Sequence, residues 1–156
     1  MSTPLPPSIR VLQAGSIAML TTTAGLSASL SFFVIPRLME SPTPIMVGQF
    51  MRAVTTAHRT LPFPLIIPGF VNAWLAYRLP EKARLYALAA VLTFSTLPWT
   101  RAVMMPLNRA MERRIMEPNA EPETAHQLAD SWATRNLYRP VVAFAAGCIG
   151  LYAALT

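Results

Sequence analysis

The sequence predicts an all-α integral membrane protein. We read a four-helix bundle with an amphipathic helix between spans one and two and a helical extension between spans three and four. Three observations carry that reading. Of 156 residues, 53% are hydrophobic and only 13% charged, where a soluble domain carries about a quarter charged residues. The mean hydropathy is +0.40. The apolar residues fall in long blocks rather than at amphipathic spacing, and such blocks suit a hydrocarbon core of about 30 Å at 1.5 Å per helical residue. The four spans are expected at residues 11–35, 60–79, 84–105 and 138–155 of a single domain.

The elements follow in order. Residues 1–8 are rich in proline and read as a frayed terminus. Residues 11–35 hold no charge and are bracketed by Arg10 and by Pro36-Arg37. A cleaved signal peptide is the rival reading, with a small-residue region at 24–29, but the run exceeds the usual apolar segment of about 7–15 residues. Gly25 and Ser29, like Ala14 and Ala18, have the small-xxx-small spacing that lets helices approach. Thr21, Thr22 and Thr23 are expected to bond back to helix carbonyls.

Residues 36–44 form a turn-rich break. Residues 45–59 then read as an amphipathic helix, with Ile45, Met46, Phe50, Met51 and Val54 against Gln49, Arg52, His58 and Arg59. Span two opens with Pro62 and Pro64, and Pro68 falls inside it, where it releases the carbonyl of Pro64. Asn72, one turn on, is an intramembrane amide in need of a partner. The polar turn at 80–84 makes spans two and three antiparallel neighbours. Pro98 and Pro106 mark kinks in span three, and residues 107–116 suit a surface helix continuing beyond the membrane. Residues 117–123 are an acidic loop, and 124–138 a helix leading into span four. There Ala143/Gly147 and Ala146/Gly150 again suit close packing.

The net charge of +6 comes mostly from arginines flanking apolar runs. Positive-inside topology and membrane lipid explain it without nucleic acid. More arginines follow spans one and three than lie on the other side, which favours cytoplasmic loops and lumenal termini. The lone Cys148, inside the last apolar run, excludes an internal disulfide and reads as a packing residue. There is no Cys/His zinc spacing, no glycine-rich dinucleotide fingerprint and no compact His/carboxylate set.

The most distinctive stretch is residues 130–140, just before the last apolar run. Trp132, Asn136 and Arg139 sit four and three residues apart and share one helix face. Pro140 has no N–H for the carbonyl of Asn136. The face reads either as an interfacial anchor, with Trp at the headgroups and Arg snorkelling, or as a ligand site.

With that layout, the chain resembles the anthrone oxygenase-like family of four-helix membrane proteins from fungal polyketide pathways. Trp132, Asn136 and Arg139 fit the family's W-x-x-x-N-x-x-R pattern. The helix bearing Phe50, Arg52, His58 and Arg59, running into Pro62 and Pro64, is a looser similarity. The resemblance implies that dioxygen, as co-substrate, oxidises an anthrone at its central methylene to an anthraquinone, with no metal, flavin or nicotinamide cofactor. It also implies an endoplasmic reticulum or other endomembrane location.

Such chemistry needs a base, a cation and a dry flat slot. His58 is the first candidate base, because imidazole titrates near working pH. His126 is the rival, in an acidic, alanine-rich stretch. Asp130 is a third candidate, as base if buried or as partner of Arg135 or Arg139. Arg52 and Arg139 are candidates for an oxyanion, with Arg59 beside the site. Trp132 is expected to stack on the polycycle, and Asn136 and Asn72 to donate to its carbonyls. The site is expected between the 45–59 helix and the start of span four. Expected partners are a small aromatic polyketide and membrane lipid, and a homo-oligomer is compatible with the sequence. Two rival readings stand: a non-catalytic tetraspan scaffold or carrier for lipid or polyketide, and an isomerase or cyclase that does not use oxygen.

Overall fold

The computed structural model describes residues 5–116 and 122–156; the expected acidic loop and the extreme N-terminus lie largely outside them. The described chain is helical: α1 (Pro7–Ser29), α2 (Ile35–Met39), α3 (Thr43–Thr60), α4 (Pro62–Arg78), α5 (Ala83–Trp99), α6 (Met105–Met116), α7 (Pro122–Asn136) and α8 (Tyr138–Leu155). These eight helices build four long rods. Each is long and apolar enough to cross a membrane: Pro7–Met39, Thr43–Arg78, Pro80–Ile115 and Ala125–Leu155.

Every rod is jointed. A π-helical turn at Leu30–Val34 separates α1 from α2, and another at Thr100–Met104 separates α5 from α6. A single residue, Leu61, joins α3 to α4, and Leu137 joins α7 to α8. A proline follows each joint within three residues: Pro36, Pro62, Pro106 and Pro140. A helix-interior proline brings no N–H to the carbonyl four residues back and its ring crowds that carbonyl. The preceding turn must widen, tighten or bend.

Two sections result. In one, α1, α4, α5 and α8 pack together, with α1 most extensively on α8. Its core holds Leu20, Ala24, Leu65, Ala89, Ala143 and Ala146, then Ile9, Leu75, Tyr86 and Ala153 further along. The small residues of α8 allow this. A Cβ on Gly147 would lie 3.1 Å from the Thr21 methyl, and one on Gly150 3.6 Å from Ile17. Two buried amides are paired between helices: Gln13 Nε2 donates to the Tyr86 hydroxyl at 2.7 Å and Asn72 Nδ2 to Ser16 Oγ at 3.1 Å. In the other section, α2, α3, α6 and α7 surround Ile35, Met46, Val47, Phe50, Val54, Met104, Met111, Ala129 and Trp132.

The expected amphipathic helix between spans one and two is present as α3, while other expectations change. It continues into span two and buries Met46, Val47, Phe50 and Val54 in a core. The helix after span three is likewise continuous with it and buries Met111. On α1 the close-packed stripe is Ser16, Leu20, Ala24 and Ser27; Ala14, Ala18 and Gly25 face outward, and nothing lies within 4 Å of a Cβ on Gly25. Cys148 is exposed on the outer face of α8 rather than packed.

Candidate active site

A cavity of about 360 Å³ opens where the N-terminus of α4 meets the C-terminal end of α5, at the level of the joints. That volume falls in the range of small-molecule sites, roughly 300–1,000 Å³. Its walls are mostly apolar: Ala57, Pro62, Leu65, Ile66, Leu97 and Met105. The polar side chains are His58, Thr96, Thr100, Arg101 and Arg139. The two threonines are spoken for, since Thr96 donates to the Thr93 carbonyl and Thr100 to the Thr96 carbonyl, both at 2.7 Å. Among the described residues no carboxylate lines the cavity.

A narrow crevice, lined by Val54, Ala57, His58, Thr100, Met104, Asn108, Trp132 and Arg139, lies behind it. A second cleft of about 420 Å³ opens between α3 and α6, with Arg59, Asn108, Arg109 and Glu112 at its polar positions. His58 lines all three spaces. It stands on the last turn of α3, just before the Leu61 joint, and makes no hydrogen bond among the described residues.

Arg139 is the unusual group. It stands on the first turn of α8, lines both the cavity and the crevice, and its Nε is buried with no hydrogen-bond partner. Among the described residues the only ion pair is the exposed Arg37–Glu40. Arg139 is half-buried, and a cation with a buried, unpartnered N–H and no ion pair is costly. In a membrane bundle, such a group facing a cavity marks a place for a ligand of opposite charge.

The joint that carries Arg139 is tied from two sides. The Leu137 N–H turns back to the Thr134 carbonyl at 3.2 Å, leaving the Ala133 carbonyl without its usual helical partner. The Ser31 hydroxyl supplies one, donating to Ala133 at 2.8 Å. Asn136 Nδ2 donates in turn to Ser31 Oγ at 2.9 Å and to the Ser27 carbonyl at 3.0 Å. From α5, the Trp99 indole donates to the Arg135 carbonyl at 3.1 Å and stacks on Tyr138 at 4.3 Å. The Tyr138 hydroxyl donates to Ser95 at 2.9 Å.

The family model described as anthrone oxygenase matches residues 50–149, close to two thirds of the chain. The chain belongs to the anthrone oxygenase family. The match runs through every residue of the cavity and its crevice, from Val54 to Arg139. The chain is also 29% identical to the anthrone oxygenase dmxR16 of Cryptosporiopsis sp. (strain 8999), over 96% of this chain and 92% of that one. No solved structure matches. Family membership makes the protein an oxidoreductase, and its four spans make it an integral membrane protein.

The structure brings His58 and Arg139 of the expected site residues to one cavity, and places Arg59 in the neighbouring cleft. Trp132 lines the crevice with His58 and Arg139, but it is only 2% exposed and in a T-shaped contact with Phe50 at 5.4 Å. The other expected residues stand apart from the cavity. Asn136 is fully buried in the joint. Asn72 is buried in the other section, donating to Ser16 Oγ at 3.1 Å. Arg52 is exposed and lines none of the three spaces, and Asp130 is exposed with no ion pair among the described residues. The His126 ring lies 3.1 Å from the Met39 carbonyl, outside the cavity.

Asn108, Arg101 and the two threonines went unseen in the sequence. A signal existed for Asn108: it falls four residues after Met104 and three before Met111, both buried, so it is an amide on an apolar stripe. Among the described residues no three His, Cys, Asp or Glu side chains gather as a metal site.

Proposed function

We propose that the protein oxidises an anthrone-type polyketide to an anthraquinone with dioxygen, by substrate deprotonation and without a cofactor. The observation that carries this reading is the pairing of His58 and Arg139 on one apolar cavity. A base and a cation with no ion pair among the described residues line the same mostly apolar cavity. An anthrone is a carbon acid, acidified by the carbonyl across its central ring. The His58 imidazole takes a proton from the central methylene, and Arg139 holds the developing oxyanion. The anion passes one electron to dioxygen, and the resulting radical and superoxide combine in a carbon–oxygen bond. The peroxide takes a proton from the imidazolium. Removal of the second methylene proton then breaks the O–O bond and expels hydroxide, which leaves as water. Per turnover, anthrone and dioxygen give anthraquinone and water.

The family and the relative's name support this substrate class. The apolar walls suit a polycycle partitioned into the membrane, and an endomembrane location suits such a substrate. Arg59 and Arg101 stand at neighbouring positions able to attract an anionic substituent.

The test is anthrone oxidation by purified protein in detergent, followed by quinone absorbance, under air and under nitrogen, with chelator present. The reading expects acceleration over the spontaneous rate only under air. His58→Ala should abolish it and His126→Ala should leave it. Quinone formed no faster than without protein sinks the oxygenase reading. Turnover of the anthrone under nitrogen points instead to proton transfer alone. Loss in His126→Ala with retention in His58→Ala reassigns the base.

A further inference from the structure

Trp132 contributes one polar atom, and its destination is specific. The indole Nε1 donates to Asn108 Oδ1 at 2.7 Å. An indole N–H is a donor only, so its partner must be the amide oxygen. The bond therefore fixes which way the Asn108 amide faces: oxygen towards Trp132, nitrogen away. Trp132 itself is 2% exposed and packed in a T-shaped contact with Phe50. Asn108 Nδ2 is left with no hydrogen bond among the described residues, and it is not among the sealed polar atoms. Asn108 lines the crevice that also holds His58 and Arg139, and the cleft on the far side of His58. A half-buried amide, with one end locked and the other open beside the base and the lone cation, is a pre-aimed donor.

We propose that Asn108 is a further substrate-contacting residue, whose side-chain N–H donates to an oxygen of the aromatic anion bound beside His58 and Arg139, and that Trp132 acts through Asn108 as a positioning residue. This rests on the oxygenase reading for the identity of the anion. It gives the motif tryptophan a role through its N–H, its ring being nearly enclosed. It also sorts the three motif residues: Trp132 aims a donor, Asn136 ties the joint, and Arg139 supplies charge.

The experiment is a double-mutant cycle of Asn108→Ala and Trp132→Phe in detergent-purified protein, with two readouts. The first is kcat for anthrone oxidation. The second is the visible band of a bound hydroxyanthraquinone, which responds to hydrogen bonding at its oxygens and not to global stability. Asn108→Ala should lower kcat on the order of 100-fold, as for loss of one donor to a developing charge, and shift the bound band. Trp132→Phe should lower kcat and shift the band in the same direction. In the Asn108→Ala background it should change neither, because residues acting as one unit are not additive. Asn108→Gln, which keeps the amide, should recover part of both. An unchanged band and rate in Asn108→Ala overturn the proposal. So does a Trp132→Phe effect equally large with and without Asn108, since the tryptophan would then act by packing. If the wild type fails to oxidise anthrone, the oxygenase reading falls, and the quinone band still decides whether Asn108 touches a bound aromatic.

Discussion

Replacing Arg139 by methionine should make the protein more stable and inactive. The side chain is kept at similar length and apolar volume, so packing on the α8 turn is preserved. What disappears is a guanidinium whose Nε is buried without a partner and which makes no ion pair among the described residues. A buried donor left unsatisfied costs about 1–3 kcal/mol. Lone buried charges cost more in principle, but this head group reaches a cavity that opens outward, so we hold to the lower range. For a chain of 150–250 residues, each 1 kcal/mol moves the melting temperature by about 2–4 °C. The expected rise is therefore about 2–12 °C.

The assay is thermal unfolding in one detergent, followed by intrinsic tryptophan fluorescence, alongside anthrone oxidation. Arg101→Met is the control, because Arg101 is exposed at the rim of the same cavity and should change stability by less than about 0.5 kcal/mol. Arg139→Lys should keep part of the activity, since it retains charge but loses the planar fork. A lower melting temperature in Arg139→Met would mean the guanidinium is a structural group with partners of its own. Oxidation at the wild-type rate would mean no anion needs it. Either result refutes the argument from the unpaired cation.

Other outcomes follow from the same geometry. Ser31→Ala should cost about 1–3 kcal/mol, read by denaturant titration in detergent, because the Ala133 carbonyl loses its donor. Asn136→Ala removes two interhelical bonds worth about 0.6 kcal/mol each and also an unpartnered Oδ1, so its stability loss should be the smaller of the two, with kcat falling as the Arg139 joint loosens. Gly25→Ala should stabilise by about 0.5–1 kcal/mol, because its Cβ meets open space. Gly69→Ala should lack that gain, because its Cβ would stand 2.8 Å from the Phe94 ring, which must then leave its edge contact with Phe70. Equal melting temperatures for the two glycine variants would refute the packing argument.

The bundle was legible because hydrocarbon imposes its length on the sequence. Residues 11–35 carry no charge, and little but a span can be made of them. The fusion of the 45–59 helix with span two was not legible, because Pro62 and Pro64 look like a break. They are tolerated inside one rod because their missing N–H groups fall at a joint and in the first turn of α4. His58 and Arg139 could be named from side-chain chemistry alone: one is an imidazole able to carry a proton and the other a guanidinium beside a proline. The work of Asn136 could not, since its partners Ser27 and Ser31 lie more than a hundred residues away in the chain. The hydrogen bond of Trp132 was hidden for a related reason. Its ring suggested stacking, and only the fold reveals that the ring is enclosed and the N–H is spent on Asn108.

The four joints explain why the cavity is where it is. A straight four-helix bundle closes on itself and leaves no room for a flat ligand between neighbours. Here α1, α4, α5 and α8 close in that way, using alanine and glycine contacts that draw the helices together. Past that section every rod widens, bends or tightens, and each irregularity precedes a proline. In hydrocarbon a helix cannot break without finding new partners for its backbone, except where the break lines a cavity or is buried in protein. Both exceptions are used. The Leu137 joint packs against protein through the buried Asn136, and Ser31 and Trp99 donate to its Ala133 and Arg135 carbonyls. The Leu61 joint and the Thr100–Met104 turn line the cavity, with Ala57, His58 and Pro62 on one wall and Thr100, Arg101 and Met105 on the other. The prolines that interrupt the helices and the charged groups that need a cavity therefore belong to one design problem. Arg139 lies one residue before the proline of its own joint, so the break that opens the slot is also what brings the cation to it.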